Sequence, residues 1–368
     1  MARRSFTTRI ALLLATTAVA LLLAEGLFRA FGPRLGGYGP PVFLTPTGLK
    51  VPMAEIVHFL GTGGFDSGSS RSHPSNTLKP SLHVREQYDH PRWAYFDADG
   101  CIDVHHNSLG FRDEEFPIAK PAGEFRVLAI GDSFTWGNGV RAEDAWPAVL
   151  EDELRARGGA TASAQVVNCG FAGGYDATGY APWLRSDGLL LDPDLVVVGF
   201  CLNDMEGRTN DVPMLSYAAP EPADGLAWCR ILQYAMWTKA CRAARRDAKD
   251  FAAVVRQHPK RWNATQAALR DMKAACAEKG VGFAVAIFPM LSQLDVEPWP
   301  YAGLVTMVRD FCREAGIRCV DTSPEFVGRT DELDLWAHVT DQHPNDVGQR
   351  MLAEQVFRFL VGEGLLPK

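Results

Sequence analysis

The chain has no excess of basic charge, no CxxC cysteine pair and no internal repeat. Each absence removes a class of function. Lysine and arginine number 37 against 44 aspartate and glutamate, a formal net charge of -7 over 368 residues. A basic face wide enough for sequence-independent phosphate binding is therefore not expected, and nucleic acid is excluded as a partner. The eight cysteines are Cys101, Cys169, Cys201, Cys229, Cys241, Cys276, Cys312 and Cys319. Without CxxC spacing they argue against zinc or a thioredoxin-like centre. Cys312 and Cys319 are the nearest pair in sequence, open to pairing in an exported domain, whereas Cys169 and Cys201 lie in apolar runs and read as small core residues. His105 and His106 are neighbours, and neighbours in a strand face opposite sides, so no ion shared between them is expected. With 47% hydrophobic residues, general disorder is also excluded.

What is present starts at the N-terminus. "MARRSFTTR" carries three arginines and no acid ahead of the uncharged run Ile10 to Ala24. The run ends Leu22-Leu23-Ala24-Glu25 without the small residues of a cleavage site, so it reads as a retained anchor, N-terminus inside, with the rest outside the cytoplasm. Residues 1–30 form this expected anchor. Residues 31–120 read as a Gly/Pro/Ser-rich linker to about 75, then a small hairpin-like lead-in around the Asp-Ala-Asp-Gly turn. Residues 121–368 form the main domain.

In that domain short apolar runs alternate with amphipathic ones. "FRVLAI" (125–130), "AQVVNCGF" (164–171), "DLVVVGF" (194–200), "GFAVAIF" (282–288) and "IRCVDT" (317–322) read as strands covered on both faces. Helix candidates such as "EDAWPAVLEDELRARGG" and "NATQAALRDMKAACAEKG" lie between them. The alternation predicts a parallel sheet in a three-layer α/β/α domain. Residues 205–260 interrupt the rhythm and are expected to form a helical insert.

Ligand sites of open parallel sheets lie at the carboxyl ends of the strands. There the chain places Gly131-Asp132-Ser133, then "NCGFAGG" (168–174), then Asn203-Asp204, and later "TDQHPNDVG" (340–348) before a helix. A serine hydroxyl needs a base to take its proton, and His343 supplies one. The imidazole needs a partner to fix its tautomer, and Asp341, two residues earlier in an extended segment, faces the same side. A developing oxyanion needs donors fixed in advance. The backbone N–H groups of Ser133 and Gly173 and the amide of Asn203 would provide them.

Over residues 121–360 these blocks resemble the SGNH/GDSL hydrolases. "GDSFTWG" is similar to the family's first block and implies the nucleophile at Ser133. "NCGFAGG" implies an oxyanion donor at Gly173, "GFCLNDM" one at Asn203, and "DQHPNDVG" the base at His343. "NSLGFRDEEF" is similar to a segment ahead of the catalytic domain in membrane-anchored bacterial members. The resemblance implies a flavodoxin-like sheet of order 2-1-3-4-5 and transfer or hydrolysis of ester-linked acyl groups, with no cofactor and no metal. The chain departs from the family in having Cys201 where a glycine is usual, and the acid two rather than three residues before the histidine, where Thr340 stands.

The expected function is a serine esterase acting on small acyl esters, acetyl foremost, with an extracytoplasmic glycan as carrier. An O-acyltransferase with the same site, or a glycan-binding component on the same scaffold, are the alternatives. His338, four residues after Asp334, competes with His343 but is expected to be a surface contact if that segment is helical. Asp132 is expected to cap the helix after it. Of Trp228, Tyr234 and Trp237, the last two are three apart, a helical spacing, and such aromatics read as packing residues rather than a sugar platform.

Overall fold

The computed structural model describes residues 6–31, 41–56, 78–89, 91–172, 175–205, 228–246, 251–257 and 259–367. It falls into two compact units, one of residues 1–40 with 217–247 and one of residues 41–216 with 248–368.

In the smaller unit the apolar run forms one helix, Phe6–Phe31. From Ile10 to Phe31 it is long and apolar enough to cross a membrane, with mean hydropathy 2.2. Its leucines are largely exposed, Leu13, Leu14 and Leu23 among them. Glu25, the charge that ends the run, is buried against the insert helix Arg230–Arg246. Its carboxylate accepts from the backbone N–H of Arg230 at 2.8 Å and of Ile231 at 3.1 Å, and Arg29 pairs with it at 2.7 Å. The insert helix is thus capped by a side chain from the N-terminal helix. Tyr234 packs its ring on Phe28 at 5.5 Å between centroids, as a packing residue would.

The larger unit holds two sheets. The lead-in forms an antiparallel sheet of strands β1 (Val42–Leu44), β2 (Lys50–Val51), β3 (His83–Gln87) and β4 (Cys101–His105), in the order β2-β1-β3-β4. The stretch read as irregular linker thus contributes two strands, too short to show a period. The inner face of this sheet, with Phe43, Val84 and Val104, packs on Trp136.

The five apolar runs form β5 (Phe125–Gly131), β6 (Ala164–Gly170), β7 (Leu195–Cys201), β8 (Gly282–Phe288) and β9 (Arg318–Asp321). They pair in parallel in the order β6-β5-β7-β8-β9, which is 2-1-3-4-5 among the sheet strands. Every residue of β5 and β7 is buried, as helices on both faces require. The crossovers between parallel strands divide the helices between the faces. Trp146–Arg157 packs with Asp346–Gly362, and Ala177–Ser186 packs with Pro259–Glu278. A hairpin, β10 (Trp336–His338) and β11 (Asp341–Pro344), precedes the last helix. The Asp334–His338 segment is therefore not a helix. Cys169 and Cys201 are buried in β6 and β7, and Cys312 and Cys319 are free thiols.

Candidate active site

The end of β5 explains the Gly-Asp-Ser turn. A Cβ on Gly131 would lie 2.2 Å from Thr135 Oγ1 and 2.6 Å from the Gly199 carbonyl, so only glycine lets the chain turn there. Asp132 caps the one-turn helix Ser133–Trp136 by accepting from Phe134 N–H at 2.9 Å. Ser133 stands at the first position of that helix, where a backbone N–H has no intrahelical acceptor. Gly170 lies against the same short helix: a Cβ there would lie 2.2 Å from the Trp136 nitrogen.

β11 brings the other two groups. Ser133 Oγ lies 2.7 Å from His343 Nε2. His343 Nδ1 is in short contact with Asp341 Oδ1, which also accepts the His343 backbone N–H at 3.1 Å. The i, i+2 spacing works because the segment is extended. Asp341 is buried while Ser133 and His343 remain partly exposed. Burial raises the Asp341 carboxyl, but the charge of His343 and the hydrogen bonds it receives outweigh this and hold it well below the ordinary range. Burial likewise opposes the imidazolium, and Asp341, with Asp132 and Glu86 behind it, outweighs that and holds His343 above its ordinary value.

Asn203 lies in the short 3-10 turn after β7. Its Nδ2 donates to Asp132 Oδ2 at 2.8 Å, so Asp132 orients the amide as well as capping the helix. One hydrogen of that amide is engaged, and the amide has a second to give. Gly173 lies outside the described residues. His338 is buried, with its ring nitrogens bonded to Thr340 Oγ1 at 2.8 Å and the Asp89 carbonyl at 3.0 Å. Cys201, in place of the family's glycine, is buried with its sulfur 3.7 Å from that of Met290.

The lead-in supplies residues that the sequence reading did not assign. The Tyr88 hydroxyl lies 2.6 Å from Asp341 Oδ2 and 2.8 Å from Glu86 Oε1. Asn138 Nδ2 donates to Asp341 Oδ2 at 3.0 Å, and Gly139 N–H donates to Glu86 Oε2 at 3.1 Å. Burial and the charge of Asp341 push the Glu86 carboxyl up to about 7, against the pull of Arg112. Arg112, from the lead-in segment, is buried over the Trp136 ring at 4.5 Å and donates to the carbonyls of Trp136 at 3.0 Å and Val140 at 2.5 Å. It holds the loop that carries Asn138. A signal for Glu86 and Tyr88 was present: Val84, Glu86 and Tyr88 alternate on one face of β3 and beyond, and an acid on the apolar face of a strand calls for a partner.

With this geometry in place, comparison defines the class. The chain belongs to the GDSL-like lipase/acylhydrolase family, whose model matches residues 129–351. Among solved structures it is similar to a G-D-S-L family protein from Desulfitobacterium hafniense at 18% identity and TM-score 0.37, covering 64% of this chain and 99% of that one. A two-domain esterase active on acetylated mannans is 17% identical with TM-score 0.40. The match covers 67% of this chain and 52% of that one, so the chain spans about half the length of that esterase. An acetyl-xylooligosaccharide esterase from Geobacillus is 17% identical with TM-score 0.40, over 64% of this chain and 94% of that one. No curated protein matches the chain.

Proposed function

We propose that the chain is a serine esterase whose nucleophile is Ser133, whose general base is His343 and whose orienting acid is Asp341. What supports this reading most is the continuous hydrogen-bonded row from Ser133 Oγ through His343 to Asp341. Ser133 Oγ attacks the ester carbonyl as His343 Nε2 takes its proton. Asp341 holds the tautomer with Nε2 unprotonated and then stabilises the imidazolium. The oxyanion is held by the Ser133 N–H and the second N–H of Asn203, with Gly173 as a third donor. His343 returns the proton to the leaving alkoxide, leaving an acyl-serine. Water, deprotonated by His343, releases the acid and restores Ser133. If a sugar hydroxyl replaces water in that last step, the same site transfers the acyl group.

Small acyl esters, acetyl foremost, carried by a glycan outside the cytoplasm are the proposed substrates. The family and the anchor-like N-terminal helix support this choice. Hydrolysis rates of p-nitrophenyl esters from acetate to octanoate test it, with the rate falling as the acyl chain lengthens. Faster turnover of the octanoate ester would overturn the small-acyl assignment, and undiminished turnover by Ser133→Ala would overturn the nucleophile.

A further inference from the structure

The His105–His106 pair offers no shared ion, because the strand sends His106 inward, where its ring bonds the Lys79 carbonyl at 3.0 Å, and His105 outward. The fold supplies His105 with a different partner. In the β3–β4 ladder His83 stands directly opposite His105, and Asp103 stands two residues before His105 on the same outer face. The two imidazoles are stacked at 3.9 Å between centroids, and His83 Nε2 lies 3.2 Å from Asp103 Oδ1. The three donor atoms, one from each residue, all lie within 4.8 Å of one another.

From this we infer that His83, Asp103 and His105 form a binding site for a divalent transition ion of the zinc type. The donor set is the reason. Two imidazoles and one carboxylate, with positions left for water, are an ordinary zinc complement, whereas Mg²⁺ and Ca²⁺ require more oxygen ligands. Zinc lies about 2.0–2.2 Å from such donors, which sets them about 3.4 Å apart around a tetrahedral ion. The His83–Asp103 separation of 3.2 Å is close to that distance. His105, whose donor atom lies within 4.8 Å of the other two, would rotate out of its stack on His83 to join them, and its exposure leaves room for that.

The surroundings favour a cation. Arg85, whose Cα stands opposite that of Asp103, directs its guanidinium to Asp97 and Asp99 instead. Asp103 and His105 also line a cavity of about 810 Å³ whose wall carries seven acidic side chains, two of them, Asp113 and Glu151, raised by burial, against two guanidinium groups, Arg112 and Arg141. Such a wall concentrates cations. The consequence reaches the serine site, because β3 is the strand that leads into Glu86 and Tyr88. An ion bound across β3 and β4 would tie together the hairpin that supports Asp341.

Titration of the full chain, in detergent and freed of metal, with ZnCl₂ by isothermal calorimetry tests the inference. The expected result is one saturable site that excess Mg²⁺ does not displace. His83→Ala and His105→Ala should each weaken it by more than about 100-fold, beyond the 10- to 100-fold effect of outer-shell partners. His343→Ala, which removes the serine-site imidazole, should leave it unchanged. Zinc should also raise the melting temperature of the unmodified chain and not that of the double His83→Ala, His105→Ala variant. Absence of saturable binding, or equal affinity in the double variant, would overturn the site and leave His83 and Asp103 as an ordinary surface hydrogen bond. A double variant that melts lower than the parent without metal would be replaced by His83→Gln, His105→Gln, read in the same titration.

Discussion

Tyr88→Phe removes a single oxygen atom from the buried side of Asp341. The hydroxyl touches two carboxylates, Asp341 at 2.6 Å and Glu86 at 2.8 Å, yet has one proton to give. Burial and both carboxylates hold the phenol well above its ordinary value, so it stays protonated. If it donates to Asp341, the charged partner of His343, Glu86 must bring its own proton to the tyrosine oxygen. A Glu86 carboxyl pushed up to about 7 does so below that pH. The groups facing Glu86 are Asp341, Tyr88, Arg112 and the Gly139 N–H. A hydrogen bond to a charged group contributes about 1.5–3 kcal/mol, which corresponds to about 10- to 150-fold in rate. Asn138 and His343 still donate to Asp341 in the variant, so the expected loss in kcat is near the lower figure. Hydrolysis of p-nitrophenyl acetate by the full chain between pH 5 and 9 measures it, with KM unchanged and the melting temperature followed in parallel. Glu86→Gln is the companion variant. Its amide N–H reproduces the neutral acid, so it should keep activity below pH 7 and remove the change that follows Glu86 ionisation above it. Unaltered kcat in Tyr88→Phe across the whole range would refute the reasoning.

Stability should respond to the same carboxyl. Glu86 has a folded value of about 7 against 4.5 for the free group. The folded state therefore keeps a proton that the unfolded state loses, and stability falls as pH rises from 4.5 to about 7, then levels. Glu86→Gln should remove up to about 3 kcal/mol of that fall, read by denaturant unfolding at pH 4 and pH 8. Asp341→Asn should lower kcat by about 10⁴-fold. The acid limb of its residual activity should move to lower pH, because the charge that raises His343 is gone. Asn203→Ala should lower kcat by about 10²- to 10³-fold with little change in KM. In Gly170→Ala the new methyl collides with the Trp136 backbone, and a lowered melting temperature checks it.

The sheet was legible because burial on both faces leaves continuous apolar runs, as in "VVVGF" (196–200) and "RVLAI" (126–130), and helices between them admit few topologies. The positions of Ser133 and Asn203 just after strands, and of Asp341 and His343 shortly before the last helix, were legible in the order of the apolar runs. The extended β11 brings Asp341 and His343 together despite the unusual spacing. Other features depend on contacts that no local pattern records. Tyr88 reaches Asp341 across 253 residues of chain, and Glu86 acts through Tyr88. His83 meets His105 only through the register of a ladder whose strands are separated by a loop. Gly131 and Gly170 look like flexible turn residues in sequence, whereas in the fold they are places where another backbone or side chain leaves no room for a Cβ.

An activated serine at position 133 is what the proposed esterase needs first. Treating the full chain with a fluorophosphonate probe and mapping the adduct by peptide mass spectrometry tests it most directly. The expected result is a single adduct on Ser133 that is lost in His343→Ala although the variant remains folded. A folded chain that takes up no probe, or an adduct on Ser133 that forms equally fast without His343, would contradict it.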